Sequence, residues 1–220
     1  MLIDQIEACV STIEELSHMK ENAQSIDAFE SAVNKLHGVG DTAEAFASTI
    51  EEMAKYDFCA LQYADEDTQE LQNALISCVT AVNNMSLTKA NVATLTGLLD
   101  TEKKKVTLFW QTVAKNLVDP IKSILGIIQP FSDNKTEVSN LITALTNGSK
   151  SEPSVMVVRS LAKNVERANA VSEEFQMSAG IRSFLQKAKA GKATYADITP
   201  EVASWIAEHK LKAKIKISFI

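Results

Sequence analysis

Apolar residues recur at spacings of three and four along four stretches, 2–37, 41–85, 88–129 and 153–190, and nothing else restricts the fold as strongly. The first stripe runs Leu2, Ile6, Cys9, Ile13, Leu16, Met19, Ala23, Ile26, Phe29, Val33 and Leu36. This predicts an amphipathic helix, with a break allowed near Asn22–Ser25. "HGVGD" then supplies a glycine stop followed by an aspartate cap. The second stripe runs Ala43, Phe46, Ile50, Met53, Asp57/Phe58, Leu61, Ala64, Thr68, Leu71, Leu75, Cys78, Val82 and Met85. One helix of about 45 residues is the preferred reading, with an interruption at 63–67 as the alternative.

The third stripe starts after "NNMSLTK", with Ser86 or Thr88 as cap, and runs from Val92 to Ile128, where Pro120 should kink it. A shorter helix over 133–147 should stop at Gly148, with Ser151 and Pro153 opening the next. That fourth stripe, Val157 to Leu185, should end at Gly191. A last short helix has Thr199 as cap, Pro200 at its first position, and Trp205 and Ile206 facing inward. At about 1.5 Å per residue, each long run spans roughly 55–65 Å. Short links force neighbours antiparallel. The expected fold is all-α: an elongated antiparallel bundle of four long helices plus short ones over 1–190. Residues 191–220 would form a short capped helix and an extended basic tail, packed on the bundle end or on a partner.

The chain's totals, 45% apolar, 23% charged, seven Gly and four Pro, suit a folded helical protein. The net charge of −6 hides a gradient. Residues 1–70 carry 16 acids and 3 bases, whereas 180–220 carry 3 acids and 8 bases. Such polarity suggests head-to-tail contact rather than a surface built uniformly for nucleic acid. Cys9, Cys59 and Cys78 lie apart among apolar neighbours, as buried thiols in a reducing compartment would. "MLIDQIEACV" lacks a basic leader, and no window is apolar enough to span a bilayer. The expected location is cytoplasmic.

Chemistry-bearing patterns are sparse. Glu15 and His18 have the Glu-x-x-His spacing of di-metal bundles, but it occurs once, and a surface pair explains it. "GVG" at 38–40 follows a helix and lacks a phosphate-loop lysine, and "DEDTQE" at 65–70 lacks the glycine and glutamate of a calcium loop. Lys103–Lys105 beside Phe109 and Trp110 offer a basic-aromatic nucleic-acid reading, although the aromatics keep the core phase. "NLVDPIKSILGIIQPF" (116–131) offers a membrane-active reading of the helical-toxin kind, interrupted by Asp119 and Lys122. No catalytic residue, metal or cofactor is implied.

In "KLKAKIKISFI", Lys210, Lys212, Lys214 and Lys216 alternate with Leu211, Ala213, Ile215 and Ile217, the two-residue period of a strand. An all-helical domain offers such a strand no sheet. It would either cover the open end of the core or pair with another chain. Trp205, Ile206, Ile215, Ile217, Phe219, Lys212, Lys214 and Lys216 are therefore the candidate interaction residues, for a protein partner or for self-association.

The stretch "IRSFLQKAKAGKATYADITPEVASWIAEHKLKAKIKISF" resembles the end of large bacterial P-loop ATPases of phage-defence systems, of the bacteriophage-exclusion type. There a helix, a D-(I/L)-T-P-E-V cap, a tryptophan helix and a lysine-bearing K-I-S-F end follow one another. The resemblance covers under a fifth of the chain and implies a relative of that helical module. Without a P-loop it carries over no ATPase activity. The expectation is a non-enzymatic scaffold or interaction module of a bacterial assembly. The alternatives are a membrane-active bundle and a DNA-binding accessory module.

Overall fold

The computed structural model describes residues 2–59 and 65–215, with side-chain surroundings from 25 to 59 and from 69 to 215. The protein is all-α, and no strand occurs among the described residues. Seven helices follow in order among the described residues: α1 (Leu2–Met53), α2 (Asp65–Asn83), α3 (Lys89–Ile128), α4 (Lys135–Lys150), α5 (Val155–Glu174), α6 (Ala179–Lys189) and α7 (Pro200–Glu208). Single 3₁₀ turns lie at Asp57–Cys59 and Tyr195–Asp197. The expected helical class is borne out, but its division into rods differs.

α1 passes straight through "HGVGD". Gly38 and Gly40 are helical, and the Thr42 hydroxyl donates to the Gly38 carbonyl at 2.9 Å. Each glycine costs up to about 1 kcal/mol relative to alanine. The stripe keeps phase across them, however, so burial of the face from Phe29 to Met53 outweighs the loss. Continuity across 41–85 fails instead. α1 ends at Met53, and α2 begins at Asp65. The split falls beside Asp57/Phe58, where the stripe could not choose one residue. There Cys59 turns inward and the Tyr56 and Phe58 rings stack at 5.5 Å. The fourth run also divides, because Phe175 and Met177 are only two apart. Gln176 takes a left-handed φ of 43°, and Ser178 then caps α6 by accepting from the Ile181 amide.

Other ends shift less. α4 continues past Gly148 to Lys150, Ser151 is its C-cap, and Ser154 rather than Ser151 caps α5. A β-carbon on Gly148 would lie 3.0 Å from Leu161 Cδ1, so the missing side chain is what lets α4 and α5 approach. Thr199 caps α7 with Pro200 at its start, as expected. Pro120 lies inside α3 without ending it.

The chain divides into two compact units. Unit 1, Met1–Ser48 with Gln62–Lys105, packs parts of α1, α2 and α3 around Ala32, Cys78, Leu87, Val92 and Leu95. Phe29, Val33, Leu36 and Leu71 border that core. Unit 2, Thr49–Leu61 with Val106–Ile220, has a core in which Ile128, Phe131, Phe184, Leu185, Trp205 and Leu211 meet. Ala193, Ile198, Val202, Trp205, Ile206, Leu211 and Ile215 share this core.

Candidate interaction surface

The C-terminal residues proposed from sequence lie mostly inside unit 2. Trp205 and Ile206 are buried, and the Trp205 indole donates to the Phe175 carbonyl at 2.6 Å. Neither is available to a partner, so their assignment as contact residues is corrected: an amphipathic helix beside an unfilled core buries its apolar face. Leu211 is buried and Ile215 packs, partly buried, on the same core.

The expected strand is also corrected as far as Ile215. Lys210 adopts φ 54°, and the amides of Lys210 and Leu211 donate to the carbonyls of Ala207 and Ile206. This left-handed helix stop curls the chain back. A turn follows, with the Lys214 and Ile215 amides donating to the Leu211 carbonyl. The alternating lysines are then not an open edge. Lys214 donates to the Phe131 carbonyl at 2.9 Å and pairs with Asp133 at 2.6 Å, while Lys212 is exposed. Lys216, Ile217 and Phe219 lie outside the described residues.

Two other sequence motifs lose their ligand-binding geometry. Trp110 is fully buried and Phe109 half-buried, so neither ring is free to stack on a base beside Lys103–Lys105. Lys105 pairs with Glu102 at 2.8 Å. In 116–131, Val118, Leu125, Ile127, Ile128 and Phe131 are buried in unit 2. No helix among the described residues is long and apolar enough to cross a membrane.

No group of three metal-ligating side chains occurs among the described residues, and the Glu15 and His18 side chains lie outside them. The most developed polar cluster surrounds Glu52, which is only 3% exposed. It accepts from Arg159 at 2.7 Å and Lys55 at 2.8 Å, and Tyr56 Oη lies 3.4 Å from it. The hydrogen bond from Arg159, then that from Lys55, holds its pKa down at about 2. A carboxylate so committed stays ionised at neutral pH and serves as a clasp, not as a proton donor. The neighbouring groove, about 460 Å³ between Tyr56, Phe58, Arg159 and Lys163, lies open on the surface. Burial raises the thiol pKa values of Cys59, to about 11, and of Cys78, so neither is poised as a nucleophile.

The side chains that stand out lie on α2. Leu71, Ala74, Cys78, Ala81 and Val82 face the unit 1 core. Leu75, Ile76 and Val79 remain 51%, 63% and 52% exposed. At 3.6 residues per turn the three form one sector, centred roughly 100° from Cys78. Polar Gln72 and Asn83 flank it, both exposed. Sequence reasoning placed Leu75 in the core stripe and passed over Ile76 and Val79. The available signal was two large apolar residues out of phase in an otherwise regular helix.

Charge is distributed unevenly along the sequence. α2 contains Asp65, Glu66, Asp67 and Glu70 and no lysine or arginine. Unit 1 as a whole has 15 acidic and 6 basic side chains, a net of −9, against +3 for unit 2. Asp27, Glu30, Asp41, Glu44, Glu70 and Asp100 are exposed, and none is in an ion pair among the described residues.

Comparison of the chain with protein-family models, with curated proteins and with solved structures gives no match.

Proposed function

We propose that this chain is a non-enzymatic, cytoplasmic helical module whose work is contact with another protein, and that α2 of unit 1 is the contact element. The observation that carries this is the second apolar sector of α2. A 19-residue helix that already buries one face has no folding reason to present Leu75, Ile76 and Val79 together to water. The shallow grooves, the committed Glu52 carboxylate and the raised thiol pKa values give catalysis less support. The resemblance of the last forty residues to phage-defence ATPases fits a module that serves within a larger bacterial assembly.

Affinity capture from the source cell, comparing the wild type with Leu75→Ser/Ile76→Ser/Val79→Ser, tests the reading. The expected result is a species retained by the wild type and lost by the variant at unchanged ellipticity. An identical set of captured proteins would overturn it.

A further inference from the structure

We draw no further inference here: the strongest candidate, the exposed apolar sector that Leu75, Ile76 and Val79 form on α2, carries nothing beyond the contact already proposed, because nothing in the structure shows what covers it.

Discussion

The indole nitrogen of Trp205 donates to the main-chain carbonyl of Phe175, thirty residues earlier, and α7 thereby closes the open end of α5. The same indole lies 4.8 Å from the His209 ring, which stacks on Phe175 at 5.7 Å. One side chain thus satisfies a helix terminus and completes an apolar core. Trp205→Phe should remove the donor and leave a carbonyl short of a partner, costing about 1–3 kcal/mol. Urea unfolding measures it, and an unchanged midpoint would contradict the capping role.

The end of α7 makes a second expectation. Leu211 is 2% exposed, so Leu211→Ala should cost roughly 2–5 kcal/mol, as for a core leucine. Lys210 holds the left-handed position that glycine occupies without strain, so Lys210→Gly should stabilise by about 1 kcal/mol. Thermal melts of the two variants should move in opposite directions. An edge strand awaiting a partner would show neither shift.

Glycines supply the third test. A β-carbon on Gly40 would meet nothing within 4 Å, so Gly40→Ala should gain about 0.5–1 kcal/mol through helix propensity. Gly148→Ala should fall short of that gain, because its β-carbon would press on Leu161, itself only 1% exposed. Equal gains from the two substitutions would mean that α4 and α5 do not approach closely at Gly148.

Acid should loosen unit 2 through Glu52. Its pKa is depressed from 4.5 to about 2, so its stabilisation is complete above 4.5 and is lost as the pH falls towards 2. Asp197, lowered from 3.8 to about 2 chiefly by Lys187 and then by Thr194, acts in the same window. Arg159→Met should lower stability at neutral pH and shrink the further loss between about pH 5 and 3. Melting temperatures at the two pH values, wild type against variant, give the comparison.

The errors of the sequence reading share one physical origin. Glycine at 38–40 and 148 predicts helix stops, yet both helices run through them, because a buried apolar face outweighs about a kcal/mol of propensity. The real breaks at 54–59 and 175–178 fell where the stripe slipped phase, at Asp57/Phe58 and at Phe175–Met177. Helical class, the α3 stripe and the Thr199–Pro200 start were legible, since each rests on local spacing or capping. The C-terminal tail was not. Its alternation imitates a strand, but as far as Ile215 it turns, and the Phe131 carbonyl and Asp133 that receive Lys214 come from residues far away in sequence. The α2 sector lay in plain view as off-phase residues, but a reading that searches for one stripe discards what does not fit it.

Both tryptophans, Trp110 and Trp205, belong to unit 2, and each is sealed from water. Indole emission should therefore follow the denaturation of that half alone, while far-ultraviolet ellipticity sums helices from both. The ellipticity and fluorescence curves should coincide only where both units unfold in one step, and should separate where each unfolds on its own. The gap between the two traces is a direct optical gauge of how tightly the halves are coupled.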